Sequence, residues 1–168
     1  MVAMLAALRA VFAEQGEVDE TLVQPCEFEL MPGAVPVVDH GLDCRDNCEG
    51  VAWVRLVDVS PTDWATFPGP VARAARGDLS YAVTLEVGVA RCAPVGYTEG
   101  ERYYPPTPDE QAAASTRAAI DAAIVRHTIL ERFPEDNDDA GVALGAYGPI
   151  GPEGDVVGGA TFCTVFVP

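Results

Sequence analysis

Hydrophobic residues recur at every second position through the middle of the chain: Leu79, Tyr81, Val83, Leu85, Val87 and Val89. Small or polar residues fill the gaps, namely Ser80, Ala82, Thr84, Glu86, Gly88 and Ala90. Strand side chains alternate faces, so this spacing predicts a long strand with one apolar and one wet face. The stretch runs to Arg91-Cys92-Ala93-Pro94, and it needs partners along its edges and a cover for its apolar side.

The flanking patterns supply both. Leu5, Leu8 and Phe12, with Met1, Met4 and Val11 beside them, predict an amphipathic helix over residues 2–15, ended by Gly16. Arg9 sits inside its apolar part and no basic start precedes it, so the segment reads as a helix and not as an export signal. Cys26, Phe28 and Leu30 alternate with Glu27 and Glu29 in a short half-buried strand stopped by Pro32-Gly33. The segment 50–59, GVAWVRLVDV, is apolar on nearly both faces and is expected away from the sheet edge. Thr107-Pro108-Asp109-Glu110 reads as a capping box with Pro at the first helical position. The helix it opens runs to about Phe133, with Ala113, Thr116, Ile120, Ala123, Ile124, His127 and Leu130 as its apolar stripe. His127 is expected to be buried and hydrogen-bonded there. Val142, Leu144 and Ala146, then Thr161, Cys163, Val165 and Val167, predict a terminal hairpin turning near residues 151–155.

The order is α-β-β-β-α-β-β. It predicts a single α+β domain over residues 1–168, with a largely antiparallel or mixed β-sheet of about five strands covered by two helices. Long connections fall at 33–50, 60–78 and 93–107. Connections beyond roughly 12–15 residues are uncommon in compact domains and are often functional. The loop at 60–78 carries Trp64, Phe67, Arg73 and Arg76, and the one at 93–107 carries Tyr103 and Tyr104. Aromatic and Arg side chains are enriched at interface hot spots, so these six are candidate assembly contacts. The competing expectation is that Trp64 and Phe67 fold back over the core.

Charge narrows the class. The formal net charge is −16, with 26 acidic residues against ten basic ones, all arginine. Nucleic-acid binding rests on neutralising phosphates with basic side chains, so a chain this acidic is not expected to grip DNA. No apolar run approaches the ~20 residues of a membrane span. The cysteines are Cys26, Cys44, Cys48, Cys92 and Cys163, an odd number that makes no disulfide framework by itself. Cys26 and Cys163 fall on strands and read as buried small hydrophobes. His40, Cys44 and Cys48 share one loop and are the candidate metal ligands. They fall short of the four-ligand zinc signature, and a disulfide involving Cys44 or Cys48 is an equal alternative. No P-loop, dinucleotide fingerprint, nucleophile elbow or His-Glu-x-x-His motif occurs, and the reading is a non-enzyme without a cofactor.

With the elements placed, the chain resembles the tail terminator proteins of long-tailed phages that infect actinobacteria. The resemblance spans residues 2–167. It lies in Pro32-Gly33, the loop from Asp43-Cys44 through Cys48 to Gly50, Val54-Arg55-Leu56, Arg91-Cys92-Ala93-Pro94, and Pro106-Thr107-Pro108-Asp109-Glu110. The Ala-, Gly-, Val- and Arg-rich composition, without lysine, agrees with a GC-rich host. The resemblance implies a homohexameric ring in the virion tail or neck, assembled in the host cytoplasm. Such a ring caps the tail tube, contacts the major tail tube protein and the head-side connector or stopper, and lets duplex DNA pass without specific binding. A different neck or head–tail connector protein is the near alternative. A small metal- or ligand-binding module built on His40, Cys44 and Cys48 is the alternative of another class.

Overall fold

In the computed structural model of the chain, described for residues 1–18, 25–31, 50–71, 80–94, 96–133, 141–153 and 156–168, the longer helix starts where its capping box places it. Thr107 is the N-cap of α2, Pro108–Arg132. Its backbone N–H donates to the Glu110 carboxylate at 2.7 Å, and the Glu110 N–H donates back to the Thr107 hydroxyl at 3.3 Å. The Thr107 backbone N–H, and after it the Thr107 hydroxyl, which donates to the same carboxylate at 2.8 Å, hold the Glu110 carboxyl below the usual carboxylate range. The cap's contribution is therefore complete at neutral pH and is lost as pH falls through that lowered value.

The other helix, α1, Val2–Val18, runs past Gly16 instead of stopping there. Five strands follow it: β1 (Glu27–Met31), β2 (Gly50–Thr62), β3 (Ser80–Cys92), β4 (Tyr97–Glu99) and β5 (Arg102–Tyr104). After α2 come β6 (Val142–Leu144), β7 (Gly148–Glu153) and β8 (Val156–Val167). The class is α+β, as the sequence pattern implies, with one mixed six-stranded sheet in the order β1-β2-β3-β8-β6. β7 pairs the other half of β8, and β4 with β5 form a separate small hairpin. β1 and β2 are parallel, and every other pairing is antiparallel. The first strand of the expected terminal hairpin is thus split in two. Gly145 spans the break: its N–H donates to Phe162 O at 2.8 Å and its carbonyl accepts from the Thr161 hydroxyl at 3.0 Å.

Both helices lie on one face of the sheet. Met4, Leu8, Val11 and Phe12 of α1 and Ile124, Val125 and Ile129 of α2 pack on Ala52, Val54, Leu85, Val87, Val89 and Cys163. The α2 face is rotated from the expected stripe. Asp121 and Thr128 are buried with Ile124, Val125 and Ile129, while Leu130 is exposed and His127 meets Glu131 at the surface, 3.1 Å away. The rotation follows from two polar side chains that find partners inside. Thr128 donates to Ile124 O at 2.8 Å, and Asp121 accepts two bonds from Arg91, from Nε at 2.9 Å and Nη2 at 2.6 Å. Arg91 also lies 5.8 Å from the Phe12 ring centroid, so this pair stands where β3, α1 and α2 meet.

The opposite face of β3 is not wet. Ala82, Glu86, Gly88 and Ala90 are all buried. Trp53 lies flat across Gly88, where a Cβ would fall 2.3 Å from its ring. The indole is fully buried and donates to Glu86 Oε1 at 3.0 Å, and Arg55 pairs with the other Glu86 oxygen. Met31, Val51, Ala90, Val156 and Ala160 complete this second cluster. The small residues that signal a solvated face in the sequence make room for a neighbouring strand's aromatic ring.

Two cysteine expectations divide. Cys163 is buried and free, its thiol pushed up to about 11 by burial, so it stays neutral at physiological pH. Cys26 is exposed and disulfide-bonded, which corrects its reading as a buried hydrophobe, and the half-buried Cys92 is disulfide-bonded too. The place of Cys26 just before β1, hydrogen-bonded through its N–H to Gly50 O at 3.0 Å, puts it at the sheet rim and not within a strand.

Removing one partner of a buried ion pair strands the other charge, which costs about 3–5 kcal/mol. Asp121→Ala is therefore expected to lower unfolding free energy by about that amount in urea titrations. The double variant Arg91→Met/Asp121→Leu should recover most of the loss, and an Asp121→Ala midpoint equal to the parent's would remove the pair from the core's stabilising contacts.

Candidate assembly surface

The helices and β1 cover only part of the sheet. β1 pairs β2 from Val51 to Arg55, and beyond that point β2 continues with Leu56, Val57, Asp58 and Val59 exposed. The expectation that this segment lies away from the edge holds for its first half and fails for its second. The continuous apolar run serves two environments, burial between neighbours and then an exposed rim. A bulge between Leu56 and Asp58 leaves Val57 without a register partner on β3. On the helix-side face, Val59 and Pro61 stand opposite Val83 and Tyr81, and Tyr81 stands opposite Val167 of β8. Leu56, Val59, Tyr81 and Val167 are each at least 40% exposed, and none is charged. An exposed apolar patch on a chain of net charge −16 is a candidate interaction surface.

The loop after β2 has a defined fold up to residue 71. The Asp63 carboxylate accepts from the Thr66 N–H at 2.8 Å and from its hydroxyl at 2.9 Å. Thr62, almost fully buried, donates to Gly69 O at 2.7 Å, and Val71 N–H returns to Pro61 O at 3.0 Å. This tight turn carries Trp64 and Phe67 back onto the sheet face away from the helices. Trp64 stacks on Phe166 with centroids 4.2 Å apart and planes 14° from parallel, and Phe67 meets Phe166 edge-on at 5.7 Å. Gly141 admits the Trp64 ring, since a Cβ there would sit 2.7 Å from it. The expectation that Trp64 folds back over the core is met in part: it packs on Phe166, yet 55% of it stays open to solvent.

The remaining candidates separate. Tyr103 and Tyr104 lie on β5, with Tyr103 61% exposed and Tyr104 beneath the Arg102 guanidinium at 5.2 Å. They sit past the Cys92 end of β3, whereas Trp64 and Phe67 sit at its Ser80 end. Arg73, Arg76, His40, Cys44 and Cys48 lie outside the described residues. Among the described residues no group of three or more His, Cys, Asp or Glu side chains has metal-binding proximity. No described helix is long and apolar enough to cross a membrane. Sequence reasoning missed Phe166, which alternates like any buried strand residue, and missed Leu56, Val57 and Val59, whose apolar character reads as core. The usable signal was the missing partner: five residues in β1 cannot flank thirteen in β2.

No protein-family model matches the chain, and no curated protein shows significant sequence similarity to it.

Phe166 is only 4% exposed, so Phe166→Ala is expected to cost about 3–5 kcal/mol of stability. Trp64→Ala, which loses one offset stack from a half-exposed ring, should cost about 1 kcal/mol. Urea melts of the chain measure both, and an unchanged Trp64→Ala midpoint would return Trp64 to a purely external role.

Proposed function

We propose that the chain is a structural virion protein, a tail terminator that forms a homohexameric ring. The ring caps the tail tube and joins it to the head-side connector. The reading is that of an assembly component without a catalytic centre or cofactor. Its main support is the uncharged apolar rim of Leu56, Val59, Tyr81 and Val167, left open on a strongly acidic chain. A monomer gains nothing from such a rim, whereas a subunit needs one. Like-charged copies repel through most of their surface and associate only where charge is absent.

The acidity suits the duplex that a tail conducts. DNA carries about one negative charge per 1.7 Å of axis, so a basic lumen would hold it. An acidic lumen repels it over roughly a Debye length, ~8 Å at physiological salt, and keeps it centred. The order of elements and the short phrases that resemble those of tail terminators point the same way.

Native mass spectrometry is expected to give a closed species of six times the 17.7 kDa chain mass. Added to polymerising major tail tube protein, the ring should stop elongation at one end in negative-stain images. A stable monomer that leaves tube length unaltered would overturn the assignment.

A further inference from the structure

Among the described residues the sheet has two open edges at the same height, and each answers the other. Leu56 stands in line with Leu85, Cys163 and Leu144, and Val59 with Val83, Val165 and Val142. At this level the described sheet consists of β2, β3, β8 and β6 alone, with β2 at one margin and β6 at the opposite one. Neither margin has a further strand among the described residues. Because each neighbouring pair here is antiparallel, β2 and β8 run one way and β3 and β6 the other. A second copy placed alongside in the same orientation therefore brings its β6 antiparallel to the first copy's β2.

We propose that successive subunits of the ring join by this pairing, the β2 margin at Leu56–Ser60 of one copy receiving the β6 margin at Val142–Leu144 of the next. The inference rests on the ring reading above and names its subunit contact. Edge strands invite such pairing because their outward N–H and C=O groups lack partners. The bulge at Val57 confines regular β2 geometry near the margin to a short run, which suits a β6 of three residues. Within both margins Asp58 is the one charged residue. A foreign basic partner would be drawn to the acids elsewhere, while another copy of this acidic chain meets least repulsion here. Three residues make a short ladder, so the flanking apolar rim supplies much of the contact area. The contact is head-to-tail, which closes into a ring when the rotation between copies permits.

The test uses one glutamate at each margin. Val57 is 47% exposed and out of register with β3, so Val57→Glu leaves the monomer's pairing intact. Ala143→Glu places the charge on β6. Each variant alone should associate about 100-fold or more weakly than the parent, because a carboxylate is trapped at the contact. An equimolar mixture should give 1:1 heterodimers and nothing larger, since each variant keeps the margin that the other lacks. Rings of parental mass from either variant, or a mixture that stays monomeric, overturn the pairing while the parent's ring stands. A monomeric parent overturns the ring reading itself, and is measured first. Amide hydrogen exchange on the parent provides a check independent of any variant's folding. Residues 56–60 and 142–144 should slow on assembly relative to dilute, dissociated protein, and unchanged exchange there overturns the pairing.

Discussion

The Arg91–Asp121 pair decides how the layers are set against each other. Apolar contacts between α2 and the sheet resist separation but tolerate sliding, because dispersion and burial are not directional. A bidentate guanidinium–carboxylate contact inside the core tolerates little. It ties the last turn of β3 to the middle of α2, with the Phe12 ring of α1 beside the guanidinium. Tyr147, at the break between β6 and β7, feels the same charges. Burial and the Asp121 carboxylate raise its phenol above the ordinary range while Arg91 opposes them, so it remains neutral. One ion pair is thus sensed by β3, both helices and the interrupted edge strand.

From that junction the sheet is stabilised unevenly. Near Cys92 both faces are covered, by the helices on one side and by the Trp53, Glu86 and Arg55 group on the other. Toward Ser80 the helix-side face leaves Val59, Tyr81 and Val167 exposed, while the reverse face carries the Trp64, Phe67 and Phe166 cluster. Aromatics back the rim from behind, so its apolar side is presented without help from the helices. Two different clusters on one face replace the third layer that a second set of helices would form.

What the sequence showed most plainly was what is encoded locally. The capping box at Thr107 and Glu110 needs only four consecutive residues, and it is present as read. The period of two in β3 is equally local, and the strand spans nearly the range expected. The failures are all matters of neighbourhood. Small residues opposite Trp53 look solvated until the indole that lies on Gly88 is known. Asp121 looks like an exposed helix residue until Arg91, thirty positions earlier, is brought to it. The β2 run looks buried throughout because its own apolar pattern does not change where the short β1 ends. Of the candidate contacts, the aromatic pair Trp64 and Phe67 was legible by type, while their stack on Phe166 depends on two segments about a hundred residues apart.

The two tryptophans occupy opposite kinds of site, and this gives the protein a built-in pair of optical reporters. Trp53 is sealed from water with its N–H on a carboxylate, so its emission belongs at the blue side of the band and follows the fold. Trp64 is half open to solvent and stacked on a phenylalanine, so its emission lies further red and follows what touches the sheet face behind the rim. Collisional quenchers reach the second and not the first. Light from one indole therefore records whether the chain is folded, and light from the other whether its far end is occupied.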